Sequence, residues 1–120
     1  MAWVVPKTKE ETLNFLKENG KSPRLLAFIT QEECGACEKA KPILEEFEKE
    51  NPDFLVFQLK AELVPDLIVS MGVTGTPTFI FSTKGRFIGT ATGTPPSAKE
   101  LKLWTDECFD TYRKEKVVGK

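Results

Sequence analysis

Cys34 and Cys37 stand three positions apart around Gly35 and Ala36, a spacing that puts both sulfurs on one face of a helix. So placed, they can bridge each other or both face an attacking disulfide. The glycine between them lets a partner's backbone come close. The apolar run Leu25-Leu26-Ala27-Phe28-Ile29-Thr30 ends just before the pair, and a C-x-x-C at a strand-to-helix corner is a redox motif. The chemistry it can do is dithiol/disulfide exchange. Cys34, at the helix N-terminus, is the expected attacking thiolate, because unpaired N–H groups and the positive end of the helix dipole favour an anion there. Glu32 and Glu33 oppose it, since neighbouring negative charge disfavours a thiolate. Cys37, one turn further in, is the expected resolving thiol.

A third cysteine, Cys108, makes the count odd, which argues against a secreted disulfide framework and points to a reducing compartment, the cytoplasm. It falls on an apolar helix face and reads as a small buried hydrophobe. There is no His, so a four-ligand zinc site would need all three cysteines and a carboxylate, with Cys108 far from the pair. No metal is expected within one chain. Ligand count still admits a cluster bridged between two chains, each giving Cys34 and Cys37.

The rest of the composition narrows the class. The 120 residues suit one domain over 1–120, with 40% hydrophobic residues, 29% charged residues and a formal net charge of −1. Lys and Arg are scattered, with no basic stripe to hold nucleic acid. No apolar run approaches the ~20 residues of a membrane span, and the first six residues are too short for a signal-peptide core.

The elements that must position the pair follow from pattern. Trp3-Val4-Val5 reads as a short strand ended by Pro6. Thr8 with Glu11 is a capping box opening a helix whose inward stripe is Leu13 and Leu16, stopped by Gly20. The run 25–29 is a strand buried on both faces. From Cys34 to Asn51 apolar residues recur at helical spacing, with Pro42 inside, where a proline removes a backbone bond. Phe54-Leu55-Val56-Phe57-Gln58-Leu59 is a second buried strand, and Pro65 opens a short helix closed by Gly72. Strands over 78–82 and 86–91, with Gly85 between them, make an antiparallel hairpin. Ser97 with Glu100 caps a last helix whose stripe is Leu101, Trp104, Cys108 and Tyr112; residues 114–120 are expected to fray. The order βαβαβαββα predicts an α/β fold, parallel pairings through the alternating part, and a central mixed five-stranded sheet with helices on both faces.

On these residues the chain resembles the thioredoxin family across nearly its whole length. Cys34-Gly35-Ala36-Cys37 opens the second helix, with Pro42 at the family's kink position. Gly75-Thr76-Pro77-Thr78 is similar to the family's cis-proline loop, and Gly93 falls where the family has a glycine beside its active site. The resemblance implies a thioredoxin-like fold and a protein disulfide oxidoreductase that needs no cofactor beyond a redox-active Cys34–Cys37 disulfide. It also implies that the Thr76–Pro77 bond is cis and lies against the cysteines. Thr76 would then pair with an extended substrate segment for which Gly93 leaves room. The partners it implies are disulfide-containing proteins and a thioredoxin-reductase-type electron donor, and a monomer is expected. A glutathione-linked or dedicated-partner exchanger and a redox-inactive binding scaffold are the competing readings.

Four positions depart from the commonest family pattern. Glu33 replaces a Trp, Ala36 a Pro, Phe28 a buried Asp, and Gln58 that Asp's Lys partner. Losing a buried carboxylate together with its cation leaves a drier site, and the proton of Cys37 must then pass to water or to a nearby Glu. The acidic residues Glu32, Glu33 and Glu38 read equally as a solvated rim or as a selector of partners with basic surroundings.

Overall fold

Strand β1 (Leu25–Thr30) is buried along its whole length, as a continuous apolar run must be when both of its faces are covered. The computed structural model describes residues 3–118, with side chains through residue 114. In it β1 sits inside a sheet with β2 (Leu55–Lys60), β3 (Thr78–Thr83) and β4 (Arg86–Thr92), in the order β2-β1-β3-β4. Helices α1 (Lys9–Asn19), α2 (Gly35–Glu50), α3 (Pro65–Ser70) and α4 (Ala98–Val118) complete the fold. The two faces of the sheet carry separate cores. Leu26, Phe28 and Val56 pack with α2 and α4 through Ala40, Leu44, Phe47, Leu101 and Phe109. Ala27, Ile29, Phe57 and Leu59 pack with α1 and α3 through Phe15, Leu16 and Ile68.

The five-stranded sheet expected from sequence is a four-stranded one among the described residues, because Trp3-Val4-Val5 is not a strand. Only Val4 bridges β2, in parallel with Phe57, and its carbonyl accepts from the Gln58 N–H at 2.8 Å. The next rung of a parallel ladder would need the N–H of residue 6, and Pro6 has none. The order is therefore αβαβαββα. Parallel pairing is also narrower than expected: β1 and β2 are parallel, but β3 runs antiparallel to β1. The six residues of α3 cover about 9 Å, against about 20 Å for a strand of six, so the chain re-enters the sheet near the end where it left.

In two helices the inward face is the expected one in part: Leu16 of α1 and Leu101, Trp104 and Cys108 of α4 pack on the cores. In α1 Leu13 is 44% exposed and Thr12 is buried, its hydroxyl donating to the Thr8 carbonyl at 2.7 Å. In α4 the buried line is Ala98, Leu101, Thr105 and Phe109, with Trp104, Cys108 and Tyr112 only half-buried beside it. Thr105 likewise donates to the carbonyl of Leu101 at 2.8 Å. The helix continues to Val118 rather than fraying at Lys114; Gly119 and Lys120 lie outside the described residues. The hairpin has the expected form: Lys84 (φ 51°) and Gly85 (φ 86°) both take left-handed conformations, the geometry of a two-residue primed turn.

Candidate active site

Cys34 is the N-cap of α2, in extended conformation, and its sulfur accepts the N–H of Cys37 at 3.1 Å. A thiol thus holds the acceptor position that Ser or Asp usually fills, where a sulfur anion faces unpaired donors and the positive helix end. Glu33 turns the chain into the helix with φ 55° and is exposed, as are Gly35 and Ala36. A Cβ built on Gly35 would meet nothing within 4 Å, so that side of the corner is open to an incoming chain. Cys34 is half-buried and Cys37 only 1% exposed; the two sulfurs are bonded, with Cα atoms 5.2 Å apart.

Two loops close on this corner. The Thr76–Pro77 peptide bond is cis, and the Thr76 hydroxyl donates to Cys34 Sγ at 3.3 Å. Gly93, at φ 102°, donates its N–H to the Pro77 carbonyl at 2.8 Å, which ties the start of the β4–α4 loop to the proline. A Cβ there would meet nothing within 4 Å, so the left-handed backbone, not crowding inside the chain, accounts for the glycine. Thr94, next in sequence, donates its hydroxyl to the Ala36 carbonyl at 2.9 Å. The structure thus brings Cys34, Ala36 and Cys37 together with Thr76, Pro77 and Gly93 from two loops far along the chain, with Cys37 and Pro77 buried behind the more exposed groups. Thr94 was not among the residues expected. Its position in Thr92-Gly93-Thr94, beside the expected glycine, was the available signal.

Beneath the sulfurs the site carries no charge. Phe28 is 0% exposed, stacked on Phe79 with ring centroids 5.4 Å apart and edge-on to Trp3 at 6.4 Å. Gln58, its register partner on β2, is buried and bonded at both ends: the Trp3 indole N–H donates to Gln58 Oε1 at 3.3 Å and Gln58 Nε2 donates to Thr30 Oγ1 at 3.1 Å. The hydrogen-bond requirement of that buried amide is met without an ion pair. Beside these groups a cleft of about 450 Å³ opens between the first turns of α2 and the ends of β1 and β2. Cys34, Cys37, Thr30, Gln58 and Lys60 reach it, along with four carboxylates, Glu32, Glu33, Glu38 and Glu62. Lys41 also lines it and pairs with Glu38 at 2.7 Å.

Two other expected residues lie away from the sulfurs. Pro42 stands on the exposed side of an unbroken α2, where its missing N–H leaves the Glu38 carbonyl without its helical donor. Cys108 is a free thiol on α4, against Gly89 of β4, and burial, followed by the charge of Glu107, pushes its pKa up. Among the described residues no three Cys, Asp or Glu side chains are grouped to hold a metal ion, and no helix is long and apolar enough to cross a membrane.

A family model described as Thioredoxin matches residues 4–107. Similar solved structures include the oxidized form of mitochondrial thioredoxin 3 from Saccharomyces cerevisiae, with a TM-score of 0.73 and 20% identity, covering 88% of this chain and 95% of that one. A thioredoxin from Fasciola hepatica gives a TM-score of 0.70 at 20% identity, over 87% of this chain and 97% of that one. A third, with a TM-score of 0.71 and 20% identity over 88% and 95%, comes from work on the thiol resolving mechanism of yeast mitochondrial 1-Cys peroxiredoxin via glutathione/thioredoxin systems. At this identity the structures speak for the fold. A search of curated proteins returned no significant match.

Proposed function

The chain belongs to the thioredoxin family and is a thiol-disulfide oxidoreductase, and on that premise we propose that it is a protein disulfide reductase with Cys34 as nucleophile and Cys37 as resolving thiol. The observation that carries the assignment of roles is the asymmetry of the pair. Cys34 is reachable from solvent and its sulfur takes two hydrogen bonds, from Cys37 N–H and the Thr76 hydroxyl; Cys37 is buried beneath it.

In the reduced protein the Cys34 thiolate attacks one sulfur of a substrate disulfide, forming a mixed disulfide and releasing the other substrate sulfur as a thiolate, which takes up a proton. Cys37 then loses its proton, and its thiolate attacks the sulfur of Cys34. The bond from Cys34 to the substrate breaks as the Cys34–Cys37 bond forms, and the second substrate sulfur leaves as a thiolate. Two electrons pass from the cysteine pair to the substrate, and a thioredoxin-reductase-type donor returns them. Thr76 offers its backbone to an extended segment of the substrate, and Gly35, Ala36, Pro77 and Gly93 shape the surface on which that segment lies. Glu33 tunes Cys34 by its charge, and Pro42 removes one backbone hydrogen bond from the helix that the cysteines open.

We place the protein in the cytoplasm as a single domain over 1–120, a monomer needing no cofactor besides its own disulfide, with no role for nucleic acid or membrane. The test is reduction of insulin with a dithiol or a thioredoxin-reductase system as donor. The parent should turn over and Cys34→Ser should not. A folded parent with accessible thiols and no turnover would overturn the general reductase reading in favour of a dedicated-partner exchanger or a scaffold.

A further inference from the structure

Three side chains behind the disulfide form a hydrogen-bond chain with a fixed direction. Indole nitrogen can only donate, so the bond from Trp3 Nε1 at 3.3 Å identifies the facing atom of Gln58 as its carbonyl oxygen. That orientation leaves the amide nitrogen of Gln58 toward Thr30, and it donates to Thr30 Oγ1 at 3.1 Å. Thr30 therefore spends a lone pair on Gln58, and its own hydroxyl hydrogen is not used by that bond. Thr30 is only 4% exposed and Gln58 6%, yet both reach the cleft that Cys37 also lines. Thr30 lies on the same face of β1 as Phe28, the face that α2 covers. The Thr30 hydroxyl hydrogen is free to rotate toward the cleft, where an opened disulfide would present a sulfur acceptor.

We infer that the Thr30 hydroxyl is the hydrogen-bond donor to the Cys37 thiolate once the disulfide is open, with Gln58 and Trp3 as the positioning residues that hold it in the donating state. The inference rests on the reading of Cys37 as the resolving thiol. A buried thiol in an apolar surround resists ionisation, and a hydrogen bond to the charged form works against that resistance. Phe28 and Phe79 offer none from below. The donor chain stabilises the sulfur anion without a second buried charge, and the proton of Cys37 leaves through the cleft to solvent. Six charged groups face that cleft: Glu32 and Glu33 from the β1–α2 loop, Glu38 and Lys41 from α2, Lys60 from β2 and Glu62 from the turn after it. All six stay in place in the variants below, so their effect on Cys37 is common to every comparison.

The experiment is a titration of Cys37 by its thiolate absorbance in a Cys34→Ser, Cys108→Ala background, where it is the one remaining thiol. Thr30→Val should raise the midpoint by about one pH unit, a roughly ten-fold loss of thiolate below it, while Thr30→Ser, which keeps the hydroxyl, should titrate with the parent. Trp3→Phe keeps the ring against Phe28 but frees the Gln58 amide to turn, and should move the midpoint the same way by less. With Cys34 restored, release of an aryl thiolate from a mixed disulfide on Cys34 should slow about ten-fold near neutral pH in Thr30→Val. An unmoved midpoint in Thr30→Val, or a Thr30→Ser midpoint raised as far as that of Val, overturns the inference. Should Thr30→Val fail to fold, an unmoved midpoint in Trp3→Phe does so. The titration uses no disulfide substrate, so absent insulin reduction would sink the reductase reading alone, and an unmoved midpoint would sink this one alone.

Discussion

Replacing Thr76 with Val removes one of the two donors on the Cys34 sulfur and keeps the β-branched shape of the side chain. The Thr76 hydroxyl lies 3.3 Å from Cys34 Sγ and the Cys37 N–H 3.1 Å from it, so the substitution leaves the second bond in place. A hydrogen bond to a charged group contributes about 1.5–3 kcal/mol, and since both residues are half-buried the lower end applies. At about 1.36 kcal/mol per pH unit this is a rise of roughly one unit in the Cys34 midpoint. The sign follows from which form is stabilised: the hydroxyl bonds the thiolate, so its loss favours the thiol. The reduced protein loses a bond to a charged sulfur and the disulfide a weaker one to a neutral sulfur, so Thr76→Val should also be the stronger reductant. The assay is the pH dependence of iodoacetamide alkylation of the reduced protein in a Cys108→Ala background. Cys34 reacts there because it is reachable, whereas Cys37 is 1% exposed. Thr76→Ser is the control that keeps the donor. A Thr76→Val midpoint equal to or below that of the parent would refute the claim that this hydroxyl holds the anion.

Glu33→Gln should lower the Cys34 midpoint by on the order of half a unit at low salt, and the shift should shrink as salt is added, because the carboxylate is exposed; alkylation kinetics at two ionic strengths decide it, and a rise on substitution would contradict the charge argument. Gly89→Ala places a Cβ 2.5 Å from Cys108 Sγ and 3.2 Å from Cys108 Cβ, so urea denaturation should show a loss of about 1–3 kcal/mol, partly restored in Gly89→Ala, Cys108→Ala; a double variant no better than the single would mean that the clash is not with this sulfur. Cys108, whose pKa is raised by burial first and Glu107 second, should resist alkylation at neutral pH. Its contribution to stability is full below the pKa of the free thiol and is lost as pH rises through the higher folded value; a Cys108→Ala protein that kept the same alkaline slope would assign that slope to another group.

The parts of the fold that were legible in the sequence are those written in local chemistry. Thr8 and Ser97 cap their helices as read, accepting from the N–H groups of Glu11 and Glu100 at 3.0 and 3.1 Å. The strand-to-helix corner at Cys34, the hairpin at Gly85 and the two-faced burial of β1 are local in the same sense. In α1 and α4 the inward face includes a residue type that the hydropathy stripe leaves out. Thr12 and Thr105 return their hydroxyls to the carbonyl four residues back, which satisfies the polar group inside its own helix and lets a residue counted as polar turn inward. Leu13 is left exposed in the one helix, and in the other Phe109 joins Leu101 and Thr105 on the buried line at helical spacing. Trp3-Val4-Val5 looked like a strand because its residue types favour one, but the ladder depends on a donor that Pro6 lacks.

The same dependence on partners far along the chain explains what was hidden at the site. The cysteines, Thr76, Pro77 and Gly93 carry recognisable local patterns, whereas Thr30 and Trp3 acquire a role only through Gln58, which lies 28 residues from one and 55 from the other. The resulting site controls its sulfurs in two different ways. Cys34 is held by neutral donors at hydrogen-bond distance while the carboxylates of Glu32 and Glu33 are exposed, and fields from exposed charges are screened by water and salt. Cys37 shares its buried cluster with the rings of Phe28 and Phe79 and its cleft with the neutral, directed pair Gln58 and Thr30. Short-range dipoles therefore set the reactivity of the pair and the acidic rim modulates it, so the ordering of the two thiols should survive salt concentrations that erase the effect of Glu33.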